Sequence, residues 1–152
     1  MNIVLGISQF DKDCIHFQMP VRNTVMDESN FIRLLYSNAL LSLNGLFIHF
    51  ALRNSSVEKY FAKFKCAFCP DENKTIIEKL INIESNILSR VACPNKRWVC
   101  NIREHLESGS VKIFANEPDT QITNCLVMKV SGVWETVDEI GVTFKFIESR
   151  HT

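Results

Sequence analysis

A chain of 152 residues, 46% apolar and 22% charged, is long enough to bury a core and too apolar to remain disordered. Lysine plus arginine balances aspartate plus glutamate, 17 against 17, so no whole-protein basic field exists. Any binding of nucleic acid must therefore come from a local patch.

The length suggests one domain over residues 1–152. The opening MNIVLGISQF has no basic leader region, so a signal peptide is not expected. The longest apolar region, Leu40 to Leu52, is broken by Ser42, Asn44 and His49, which leaves no membrane span. These features point to an intracellular chain with no membrane partner. Its six cysteines are then expected as free thiols or metal ligands, not disulfides.

In chain order, Val4–Ile7 and Ile15–Phe17 are short strand candidates, and Asn23–Asn30 is a loop. Strands are expected at Phe31–Tyr36, Ala39–Leu43 and Leu46–Arg53, with turn signals at Ser37-Asn38 and Asn44-Gly45. Asn-Gly between apolar runs is a strong hairpin cue. Asn54–Ser56 turns the chain into a strand over Val57–Ala67.

The clear helix is KTIIEKLINIESNILSR, where Ile76, Leu80, Ile83 and Ile87 recur at helical spacing and Ile77, Ile81 and Leu88 widen the stripe. Asp71 or Asn73 can cap it. A short helix is expected at Ile102–Glu107, stopped by Gly109. Val111–Phe114, Cys125–Trp134 and Gly141–Ile147 close the chain as strands. This order fits a mainly β, β-rich α+β fold: an OB-fold-like Greek-key barrel with one main helix between strands, or a sandwich with one helix packed on a sheet.

Side chains alternate across a strand, so faces can be sorted by parity. Over Val57–Ala67, one face carries Lys59, Phe61, Lys63 and Lys65. Cations that track phosphates and a ring that stacks on a base are what a groove for single strands needs. A solvated face with one stray aromatic is the plainer explanation of the same pattern. Phe47, His49, Ala51 and Arg53 share one face of their strand, and Arg33 with Phe31 extends the character further. In the closing hairpin, Leu126, Met128, Val130, Val142, Phe144 and Phe146 would fill the core, leaving Lys129 and Lys145 for a groove.

Cys66 and Cys69 form a CxxC, and Cys93 and Cys100 lie beyond the helix with His105 nearby. Zinc sites use two such pairs, although the second gap is long and the first lacks a knuckle glycine. The readings are free thiols with no cofactor, a structural zinc at Cys66, Cys69, Cys93 and Cys100, or a redox CxxC. No nucleophile elbow, P-loop, zincin helix or dinucleotide fingerprint occurs, so an enzyme is not expected.

Gly132, Val133 and Trp134, followed by Gly141, Val142, Thr143, Phe144 and Lys145, carry a family resemblance. The stretch KVSGVWETVDEIGVTFKFI resembles the closing strands of OB-fold single-stranded DNA-binding proteins of short-tailed phages and nucleocytoplasmic large DNA viruses. VRNTVMDESNFIRLLYSNALLSLNG also resembles the opening strands of uncharacterised proteins from such viruses. The resemblance implies a viral single-stranded DNA-binding protein, without catalytic chemistry, that coats displaced strands in replication or recombination. It would act in the host cell nucleus or a viral factory, with replication or virion proteins as further partners. The groove residues would be Arg33, Phe47, Arg53, Lys59, Phe61, Lys63, Lys65, Lys129 and Lys145. The alternative is a non-enzymatic viral structural or host-interaction module, a homodimer or other homo-oligomer among its forms, which uses its aromatic face against protein.

Overall fold

A computed structural model describes residues 3–25, 28–60, 63–91, 95–114 and 125–149. A long antiparallel hairpin forms its spine. Strands β11 (Cys125–Glu135) and β12 (Glu139–Glu148) pair from Leu126↔Glu148 to Glu135↔Ile140, with a bulge between Val130 and Gly132. The bulge divides the outer edge of β11. Before it, β11 pairs with β6 (Leu46–Ala51); after it, with the first half of β4 (Asn30–Ser37). The free edge of β12 is divided too. Its start pairs in parallel with β9 (Arg97–Val99), and its end with β10 (Ser110–Phe114).

The sheet continues from β10 to β8 (Lys63–Ala67) and then β7 (Ser56–Tyr60), while β1 (Leu5–Gly6) adds to β6 at the other side. Among the described residues β1 and β7 do not meet, so the sheet stays open. The β-rich α+β class is what the chain adopts, but the closed Greek-key barrel gives way to the open, helix-backed sheet. The long hairpin and its divided edges extend the sheet sideways where a barrel would need its first and last strands to join.

After Arg33, β4 leaves the main sheet. Its second half pairs with β2 (Ile15–Phe17) and β5 (Ser42–Asn44), and β3 (Val21–Arg22) pairs with its start. Asn38 turns β4 into β5, its side-chain oxygen accepting from the N–H groups of Leu40 and Leu41. The hairpin expected at Asn44-Gly45 does not form. Gly45, at φ +108°, turns a corner instead: β5 pairs with β4, and β6 goes on to β11.

Helix α1 (Lys74–Arg90) forms where the apolar spacing placed it, with Ile77, Leu80, Ile83, Ile87 and Leu88 buried. Helix α2 (Asn101–Glu107) buries Ile102 and Leu106. Both join one core with Ile48, Phe50, Val111, Ile113, Leu126, Met128, Val130 and Phe146, so the helices cover one face of the sheet. Two buried polar side chains tie the layers together. Glu84 of α1 accepts from the N–H groups of Ile102 and Arg103, which secures the start of α2. Of the two cap candidates, Asp71 and Asn73, Asn73 stands at the N-cap position of α1, but its side chain makes no cap hydrogen bond. Its carboxamide turns backward instead, accepting from Arg53 N–H and donating to the carbonyls of Arg53 and Cys69. The 3-10 turn Asp71–Asn73 already leads into α1, so the cap role is displaced. Among the described residues no helix is long and apolar enough to cross a membrane.

Candidate nucleic-acid interface

Directly opposed residues share a sheet face, and neighbours along a strand alternate. The register therefore sorts the hairpin as expected: Leu126, Met128, Val130, Val142, Phe144 and Phe146 face the core, while Lys129 and Lys145 stand opposite each other on the other side. That outer face runs through Phe47, opposite Lys129, to Arg33, opposite Gly132, and to Phe31, opposite Trp134. In the other direction it reaches Lys112 and Phe114 on β10, with Lys65 opposite Lys112 on β8.

Rings and cations interleave along this face. The Arg33 guanidinium lies 5.7 Å from the centre of the Phe31 ring, and Lys129 Nζ lies 5.7 Å from that of Phe47. Phe114 receives two cations, Lys112 Nζ at 4.9 Å and Lys145 Nζ at 5.6 Å. Phe114 is 44% exposed, so its ring is open to solvent beside both ammonium groups. Lys63 lies close enough to Lys112 to lower its pKa, by side-chain contact first and then by desolvation and charge repulsion. The ion pairs among the described residues join Arg90 to Asp13, Lys96 to Glu135 and Arg97 to Glu139, and none uses these cations. Glu58 stands opposite Lys65 on the same face but forms no ion pair with it among the described residues, and crowded like charges of this kind attract an anion.

The expected residues do not all gather here. Arg33, Lys63, Lys65, Lys129 and Lys145 share the outer face. Lys59 does not. The expected single strand Val57–Ala67 is two antiparallel strands, and Lys59 stands opposite Phe64 on the core-side face. Parity counted through one strand fails once the chain doubles back. Arg53 lies beyond β6 at the start of α1, its backbone held by Asn73. Phe47 is on the face but 8% exposed, so it forms a floor beneath Lys129 and offers no open ring to a base. Phe61 lies outside the described residues.

Lys112 and Phe114 are the additions that sequence reasoning missed. The alternation Val111-Lys112-Ile113-Phe114 held the signal, since Val111 and Ile113 are buried and the other two are exposed.

The cysteines are spread across different environments. Cys66 is fully buried in the core, and its thiol pKa is raised by burial, against a smaller opposing hydrogen bond from Ser55. Cys69 is exposed. Burial, with a further contribution from Glu84, also raises Cys100. Cys93 lies outside the described residues, and among those described no group of three candidate ligands is placed to hold a metal.

At the Trp134 end a groove of about 540 Å³ runs along the open edge of β12 between β9 and β10, lined by Phe31, Trp134 and Thr143 from the outer face, by Phe144 and Asn101 from the helix side, and by the Asn23–Val25 segment. Comparison with protein-family models, curated proteins and solved structures finds no match to this chain.

Proposed function

We propose that this chain binds single-stranded nucleic acid on the outer face of its sheet. The observation that carries the reading is the interleaving of cations and rings on that face: Arg33 with Phe31, Lys129 with Phe47, and Lys112 and Lys145 with Phe114. Cations at strand spacing follow a phosphate backbone, and an open ring beside them, here Phe114, stacks on a base with little regard to sequence. A chain of zero net charge can do this because the cations are concentrated locally. Coating of displaced strands during viral replication or recombination, implied by the resemblance of the closing strands, belongs to the same proposal.

An open sheet face also suits a protein partner. Face-to-face association of two copies, however, would bring Lys63, Lys65, Lys112 and Lys145 against the same cations of the partner, which like-charge repulsion opposes. The test is titration of a fluorescent single strand against a duplex of equal length. Tighter binding of the single strand is expected. Absence of binding to either at low salt would remove this reading in favour of a protein-interaction module.

A further inference from the structure

We infer that the groove at the Trp134 end of the sheet face is a pocket for one adenine base of the bound strand. The inference rests on the nucleic-acid reading and adds one position at which sequence is recognised. Phe31 and Trp134 are cross-strand partners, the Phe31 ring lying over Gly132 and the indole over Gly141, and both line the groove. Thr143 stands on the same face, two pairs further along the hairpin, opposite Gly132. The volume of about 540 Å³ falls within the roughly 300–1,000 Å³ typical of small-molecule sites.

The polar lining fits one base edge. Asn101 contributes a carboxamide, which presents the donor and acceptor that the N6/N7 edge of adenine requires, while Asn23, whose Oδ1 accepts from Val25 N–H, adds amide N–H donors. No carboxylate lines the groove among the described residues, so the acceptor-only side chain that favours the cytosine amine is missing. Val142 and Phe144 complete the wall where β12 has no strand partner between its β9 and β10 pairings. The cations stand at the border: Arg22 lines the groove, and Arg33 covers Phe31 from the neighbouring row. A strand whose phosphates follow Lys145, Lys129 and Arg33 thus reaches the groove at its end, with one base free to turn in.

The test compares a short oligo-dT with the same oligonucleotide carrying one central dA, on wild type and Asn101→Ala. A parallel titration with free adenosine follows Trp134 fluorescence in a Trp98→Phe background, which leaves Trp134 as the only tryptophan. The dA-containing strand should bind roughly tenfold tighter than oligo-dT. Asn101→Ala should erase that advantage while leaving oligo-dT affinity unchanged, which also shows that the variant is folded. Equal affinity of wild type for the two strands overturns the base pocket and leaves strand binding intact. If neither strand binds, the strand-binding reading fails and adenosine decides the groove alone. Saturable quenching of Trp134, lost with Asn101→Ala, then supports it as an adenine site, and absence of quenching overturns it.

Discussion

The indole of Trp134 packs directly against Gly141, its partner across the closing hairpin: a Cβ on Gly141 would stand 2.5 Å from Trp134 Cζ2. The missing side chain lets the ring settle over the sheet, where it lines the groove with Phe31. Gly132 has a similar role beside the bulge, where a Cβ would meet the Ile32 carbonyl oxygen and the Phe31 ring.

Gly141→Ala should therefore destabilise the fold by about 1–3 kcal/mol, as overpacking does. Alanine in a strand interior is otherwise favoured over glycine, so the sign of the effect is informative. Urea denaturation reads it. In a Trp134→Leu background the cost of Gly141→Ala should shrink, because the ring causes the clash. Equal costs in the two backgrounds would show that the indole does not depend on Gly141.

Leu80 is fully buried in the middle of α1, within the core shared by helices and sheet. Leu80→Ala should cost about 2–5 kcal/mol through the cavity it leaves. An unchanged denaturation midpoint would mean that α1 does not pack as described.

Glu84 yields a pH prediction. It is 1% exposed, and burial raises its pKa above the ordinary carboxylate value, outweighing the opposing hydrogen bonds from Ile102 and Arg103 and the nearby Arg103 charge. A carboxyl whose folded pKa is raised holds its proton more tightly in the fold than in the unfolded chain. Its contribution to stability is thus fully present below the unfolded value, near 4.5, and is lost as pH rises through the folded one. Glu84→Gln has no such titration. The stability of the variant relative to wild type should therefore improve between pH 4.5 and neutrality. Thermal melts of both proteins across that range measure it. A variant that worsens with pH would show that the two backbone hydrogen bonds outweigh burial.

Much of this architecture can be read from the chain, for local reasons. Period and length identify α1, and alternation identifies both strands of the closing hairpin with their faces. What escapes is set by contacts distant in sequence. Nothing near Arg97–Val99 announces a strand, because β9 exists only by pairing with β12. The Asn44-Gly45 pair carries hairpin chemistry, yet β6 finds its partner in β11, far along the chain. The same limit governs the interface. Lys129 and Lys145 fall on one face by parity within a hairpin, whereas Lys59 is misplaced because β7 and β8 are separate strands. The Gly-Val-Trp and Gly-Val-Thr-Phe-Lys pattern has a packing reason in this chain, since Gly141 makes room for Trp134.

The most direct measurement of the central claim is oligo-dT binding across a salt series, on wild type, Lys112→Ala and Phe114→Ala. Both residues are solvent-facing neighbours on β10, so neither change disturbs the core. Wild type should bind at low salt, with log affinity falling against log salt by roughly 0.7 for each phosphate contact. Lys112→Ala should reduce that slope by less than about one unit, because one ammonium group no longer displaces counterions. Phe114→Ala should weaken binding by about 1–3 kcal/mol with the slope nearly unchanged, because a stacked ring releases no counterions. Failure of the wild-type protein to bind oligo-dT at low salt would contradict the claim that this sheet face is a nucleic-acid surface.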